Sequence, residues 1–162
     1  MKTVVGAAVA AIVVFMITIT VLTFARAGEI AEAYVICSPD DFVNIRSGPR
    51  RSAEVMGRFE AGDPILLDGK KRNGYLHCVG LSLEDSEGWI HAGYVVTDQP
   101  ELVNEEAVVV SRGRLAARQC VDGKRLRWLK TGARLKVYYW SNEWACTSCG
   151  YVRSEYLELD GV

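Results

Sequence analysis

Five cysteines carry the most versatile chemistry in the chain: Cys37, Cys78, Cys120, Cys146 and Cys149. Cys146-Thr147-Ser148-Cys149 is a C-x-x-C. Such a pair is redox-active where a helix N-terminus lowers the thiol pKa. Here it lies between Trp144 and Gly150-Tyr151, which read as strand, so a tight hairpin is expected and thiol-redox work is a minor alternative. A structural zinc site needs four ligands. Cys120, Cys146 and Cys149 would have to borrow a histidine, and His77 and His91 both fall in the earlier half, so no metal or other cofactor is expected. His77 and Cys78 are adjacent; on a strand they point to opposite faces and cannot form a dyad. No G-x-S-x-G, H-E-x-x-H, Walker loop or G-x-G-x-x-G is present. No enzyme activity is expected.

The other candidates are rings and charges. Trp89, Trp128, Trp140 and Trp144, with Tyr75, Tyr94, Tyr138, Tyr139, Tyr151 and Tyr156, could line a groove. Aromatic grooves bind extended peptides and sugars because rings offer rigid area with polar handles. Trp89, Trp144 and Tyr156 fit core positions better. Tyr138-Tyr139-Trp140 cannot all face inward on a strand, which leaves an exposed ring or a contact between repeats. Charge is divided unevenly: residues 28–107 carry −8 and residues 108–162 carry +5. The basic half could face anionic polymers or lipid headgroups, or simply pack on the acidic half. The whole chain is near neutrality, with 19 Lys and Arg against 20 Asp and Glu, which argues against a nucleic-acid partner.

These residues need elements to hold them. The chain of 162 residues opens with Met1-Lys2 and an uncharged run from Val4 to Phe24. About 20 apolar residues can cross a bilayer as a helix. Ala25-Arg26-Ala27 and Ala31-Glu32-Ala33 have the form of signal peptidase sites. Residues 1–27 are therefore expected to be a hydrophobic helix, serving as a cleaved signal or as a membrane anchor at residues 4–24. Either way the remainder is extracytoplasmic, secreted or held at the membrane. Thiols tend to pair there. The expected disulfides join Cys37 to Cys78, and Cys120 to Cys146 or Cys149, with one thiol left over.

Beyond residue 28 the sequence runs in short stretches rich in Val, Ile, Tyr and Trp, broken by Gly, Asn, Asp and Pro. That is a pattern of strands and turns. It also repeats in order. Arg46 answers to Arg118, and Gly62 with Ile65 and Leu67 to Gly132 with Leu135 and Val137. Asn73-Gly74-Tyr75 answers to Asn142-Glu143-Trp144. Gly88-Trp89-Ile90 with Tyr94-Val95 answers to Gly150-Tyr151-Val152 with Tyr156-Leu157.

Val43-Asn44-Ile45-Arg46-Ser47-Gly48-Pro49 resembles the opening of bacterial SH3-type domains, and Glu87-Gly88-Trp89-Ile90 with Tyr94-Val95 resembles their close. Residues 107–159 resemble a divergent second copy, which keeps Trp144, Gly150-Tyr151 and Tyr156-Leu157. The resemblance implies an all-β chain of two small SH3-like β-barrels: the first at 34–97, a linker at 98–106, the second at 107–159. It also implies a non-catalytic binding module of the bacterial cell envelope that recognises cell-wall peptidoglycan or its peptides. The alternative is a membrane-anchored adaptor for an envelope protein. On the first reading Arg46, Tyr75, Trp89 and Tyr94 line or support a groove, with Tyr139 as a further candidate.

Overall fold

The computed structural model describes residues 29–81 and 86–160. The expected N-terminal helix and the choice between signal and anchor lie outside the described residues. Among those described, no helix is long and apolar enough to cross a membrane.

The described chain is all β. The first unit has strands β1 (Ala31–Val35), β2 (Val43–Arg46), β3 (Val55–Phe59), β4 (Pro64–Arg72), β5 (Tyr75–Leu81), β6 (Ser86–His91) and β7 (Val95–Val96). A 3-10 turn at Ala92–Tyr94 separates the last two. The second unit has β8 (Glu101–Val109), β9 (Leu115–Arg118), β10 (Arg125–Leu129), β11 (Arg134–Trp140), β12 (Trp144–Thr147), β13 (Gly150–Arg153) and β14 (Leu157–Leu159). Its 3-10 turn is Ser154–Tyr156. One sheet has the order β3-β2-β6-β5-β4-β1-β7, and the other β10-β9-β13-β12-β11-β8-β14. Adding seven to each label of the first gives the second, so the two units share one topology.

The expected closed barrels are corrected to two open sheets. β7 and β14 are two and three residues long and pair on one side only, with β1 and β8. Neither reaches across to β3 or β10, so each sheet keeps two edges. The segment 98–106, read as a linker, is strand from Glu101 onward. Glu101, Glu105 and Glu106 are exposed on β8, while Ala107 and Val109 turn inward.

Alternation explains the cores. In β1 and β2, Ala33, Val35, Val43 and Ile45 face inward and meet Ile65, Cys78 and Ile90. Their counterparts Ala107, Val109, Leu115 and Ala117 meet Leu135, Val137, Ala145 and Val152. The repeat extends to the turns. Gly62 and Gly132 both adopt left-handed φ, 92° and 80°, and both donate 2.8 Å bonds back to Val35 and Val109 carbonyls. Only glycine adopts that backbone cheaply. Arg46 Nη1 donates to Ala53 O at 2.8 Å, and Arg118 Nη1 to Gly123 O at 2.8 Å. Each arginine thus pins the turn that follows its strand.

A third cluster joins the units. Ile36 and Val96 of the first meet Trp144, Cys146 and Tyr151 of the second. The Tyr151 hydroxyl donates to Ile36 O at 3.2 Å, Val121 N to Gly93 O at 2.8 Å, and Asn142 N to an Asp98 carboxylate oxygen at 2.7 Å. Tyr138 and Tyr139 both pack on this cluster, whereas Trp140 packs on the core of its own unit. Strict alternation would put Tyr138 with Trp140. An irregularity between Val137 and Tyr139 breaks it, because β11 there has one residue more than β12.

Candidate functional site

A cleft of about 600 Å³ opens where the two units meet. One wall comes from β2, β5 and the β6 turn: Arg46, Tyr75, His91 and Tyr94, with Asp41–Asn44 and Arg51. The other wall is the Gln119–Lys124 turn of the second unit. Local structure sets these side chains. Tyr75 opens β5 in register with His91 on β6, and their rings meet edge to face with centroids 5.2 Å apart. The line of rings continues from His91 to Tyr94 at 5.7 Å and from Tyr94 to Tyr151 at 6.1 Å. The cleft floor is therefore continuous with the joint between the units.

His91 Nδ1 accepts the Gly93 N–H at 3.1 Å. That fixes the tautomer with hydrogen on Nε2. Burial pushes the His91 pKa down and favours the neutral ring. Gly93 is confined between its neighbours: a Cβ there would stand 2.5 Å from Cys120 Sγ and 3.0 Å from His91 Nδ1. The Cys120 thiol is pushed up, first by burial and then by the Asp122 carboxylate. Thiol and imidazole thus sit close together as neutral groups, with the imidazole lone pair already engaged. Arg46, Arg51 and Lys124 against Asp41 give the cleft a positive balance.

Of the residues expected to line a groove, Arg46, Tyr75 and Tyr94 lie together in this cleft. Trp89 and Tyr139 do not line it. Trp89 lies on His77, with ring centroids 4.8 Å apart. His77 in turn is held between Asp68 at 2.9 Å and Glu87 at 3.5 Å. Burial raises the Asp68 pKa, but bonds from Lys70 and His77 outweigh it and bring the carboxyl down to about 2. Tyr139 belongs to the joint. The sequence reading did not place His91, Arg51, Cys120 or Lys124 in a groove, weighing Cys120 only for a disulfide or zinc and His91 only for zinc. The available signal for His91 was its place two residues after Trp89, at the end of the motif that closes the first repeat.

The expected disulfides are corrected: all five cysteines are free. Cys37 Sγ donates to Asp41 O at 3.5 Å, and Cys78 is sealed in the first core. In the C-x-x-C, Thr147 pairs with Gly150 across a tight hairpin, and the Thr147 hydroxyl donates to Gly150 O at 2.6 Å. Cys146 therefore faces the joint while Cys149 packs on the second core. Burial pushes the Cys37 and Cys78 thiols up to about 12 and the Cys146 thiol to about 11. Redox catalysis needs the opposite shift. A thiol reagent applied to the native protein at mildly alkaline pH is expected to modify Cys149, and Cys120 more slowly, leaving the other three untouched. With denaturant but no reductant, all five should react; fewer would mean that a disulfide is present.

The chain matches no protein-family model. It is 26% identical over 144 residues to YrvJ of Bacillus subtilis, provisionally named an N-acetylmuramoyl-L-alanine amidase. The match covers 78% of this chain, which spans 27% of that relative's length. Among solved structures, NlpC1 and NlpC2 of Trichomonas vaginalis align with 83% of the chain, at 11% and 9% identity and a TM-score of 0.35 each. The chain covers 47% and 49% of those proteins. The amidase relative corrects two expectations: that the chain is a non-catalytic binding module, and that it is not an enzyme. The first rested on the resemblance to SH3-type domains and the second on the lack of a familiar catalytic motif, and a missing motif does not exclude an activity.

Proposed function

We propose that the chain works in peptidoglycan hydrolysis outside the cytoplasm, as an amidase-type enzyme or a part of one, with the cleft between its units holding the substrate. The observation that carries this reading is the match to the Bacillus amidase, whose 78% share of the chain is too long to fall within one unit. Both walls of the cleft thus belong to units the match enters. The two units are read as SH3-type domains, a reading supported by the shared strand order and by the motifs at 43–49 and 87–95.

The cleft suits a peptide-bearing polymer. Tyr94 offers a half-buried ring with a hydroxyl handle, with Tyr75 buried in the same wall, and Arg46, Arg51 and Lys124 offer donors to carbonyl and carboxylate oxygens. The neutral imidazole of His91 keeps an Nε2–H, which is able to donate a hydrogen bond to a bound carbonyl. The test is release of soluble fragments from purified peptidoglycan by the full chain. Release is expected, and Arg51→Ala with Lys124→Ala should lower it by roughly fivefold or more. A folded wild-type chain that neither releases fragments nor is retained on purified peptidoglycan would overturn the reading.

A further inference from the structure

The second unit carries a cleft of its own, about 420 Å³, at the place equivalent to the first. Leu115, Arg118, Trp144 and Tyr156 line it where Val43, Arg46, Tyr75 and Tyr94 line the first cleft. The equivalence follows from the common topology. Its charge does not follow. Gly113 stands at the position of Asp41, Arg114 at that of Phe42, and Arg153 at that of His91. An acid, an apolar ring and a neutral imidazole give way to a glycine and two guanidinium groups. Arg112, Arg114, Arg118 and Arg153 face a single acid, Asp122.

The arginines are held differently. Arg153 lies 4.4 Å over the Trp144 ring, 3.0 Å from Glu143 and 3.5 Å from Asp122, so Asp122 is already engaged. Arg118 spends Nη1 on the Gly123 carbonyl. Arg112 and Arg114 are exposed and have no ion-pair partner among the described residues. Guanidinium forks match carboxylates, and rings beneath them accept the apolar stems of an extended chain.

We infer that this second cleft is a separate binding site for an extended acidic peptide, its carboxylates taken by Arg112 and Arg114 over the exposed rings of Trp128 and Tyr156, while Trp144 lies buried beneath Arg153. The rings favour a peptide over a bare phosphate chain, which has no apolar stems to lay on them. The site stands whether or not the first cleft holds a hydrolase substrate.

The test is fluorescence anisotropy of a labelled oligoglutamate peptide with the full chain, competed by unlabelled oligoglutamate, oligoglutamine and inorganic tripolyphosphate. Oligoglutamate should compete, oligoglutamine should not, and tripolyphosphate should compete less well. Arg112→Ala with Arg114→Ala should weaken binding by roughly fivefold to tenfold. Both side chains are exposed, so the variant should keep the wild-type circular dichroism. Lys71→Ala, an exposed substitution that lines neither cleft, should leave oligoglutamate binding unchanged, and the readout involves no hydrolysis, which separates this result from the fate of the hydrolase reading. Binding that ignores the double substitution would overturn the inference. Equal competition by tripolyphosphate would overturn it in favour of unselective charge. No peptide binding, with self-association lost in the double variant, would overturn it in favour of the acidic unit of a second copy.

Discussion

Trp144→Ala should cost about 3–5 kcal/mol of stability, the range for deleting a buried large aromatic. Trp144 is 2% exposed at the centre of the joint, against Ile36 and Val96 of the first unit and Cys146 and Tyr151 of its own. Removing the indole takes away the largest side chain of that cluster and the surface on which Arg153 lies. Because the cavity opens between the units, the damage should reach both. Urea unfolding followed by tyrosine and tryptophan fluorescence is the measurement. The wild type should show one transition, since the joint couples the units, and the variant should unfold earlier with the transition broadened or split. Trp144→Phe, which refills part of the space, should recover part of the loss. A cost below about 1 kcal/mol would mean that the joint contributes little to stability.

Gly150→Ala is expected to be nearly as damaging, for a backbone reason. Gly150 has φ +108°, and a Cβ there would lie 2.4 Å from the Arg118 carbonyl oxygen. The obstacle is main chain, so it cannot rotate aside. Arg118 pairs with Tyr151 and pins the Gly123 turn, so a shift there disturbs β9, β13 and the hairpin together. Strain and overpacking together should cost roughly 3–5 kcal/mol. Two controls separate the causes. Gly132 has φ +80° with nothing within 4 Å, so Gly132→Ala should cost about 1 kcal/mol from backbone strain alone. Gly113 has open space and no left-handed φ, so Gly113→Ala should be close to neutral. Thermal unfolding of the three variants gives the order; equal losses at Gly150 and Gly132 would remove the steric part of the account.

The repeat was legible because each matched residue does the same local work in both copies. Arg46 and Arg118 pin turns, Gly62 and Gly132 turn the chain, and the Ile36 and Val110 amides take the Tyr94 and Tyr156 carbonyls at 3.0 and 2.9 Å. Such roles depend on near neighbours in sequence, which a single chain displays. The joint was not legible. Trp89 and Tyr151 occupy equivalent positions, yet one lies on His77 at the surface of its unit and the other is buried against the preceding unit. Nothing local distinguishes them, because the difference is made by residues more than 100 positions away, such as Ile36 for Tyr151. The cleft shares that origin, so Arg46, Tyr75 and Tyr94 could be named from the first repeat while Cys120 and Lys124 could not. Sheet closure failed to follow for a similar reason: it depends on whether the last short strand spans the gap to β3, which the residue pattern does not encode. The disulfide expectation paired cysteines by repeat. Cys37 and Cys78 do share one core, and Cys120 and Cys146 the joint, but all five thiols are free, and sharing a cluster does not by itself bring two sulfurs into bonding geometry.

The joint is of the head-to-tail kind, one face of the second unit against a different face of the first. A contact of that kind, repeated between molecules, generates open filaments rather than closed oligomers. The chain bars that outcome in the residues it places at the two vacant faces. Where the second unit presents Cys146 to the joint, the first presents His77 with Asp68 and Glu87 around it. Where the first unit presents Val96, the second presents the exposed Glu158. Stacking another copy by the same geometry would bury the Glu158 carboxylate at one face and His77 with its two carboxylates at the other, which costs more than burying apolar side chains there. The polar side chains at these two positions thus disfavour an end-to-end filament built on the geometry of this joint.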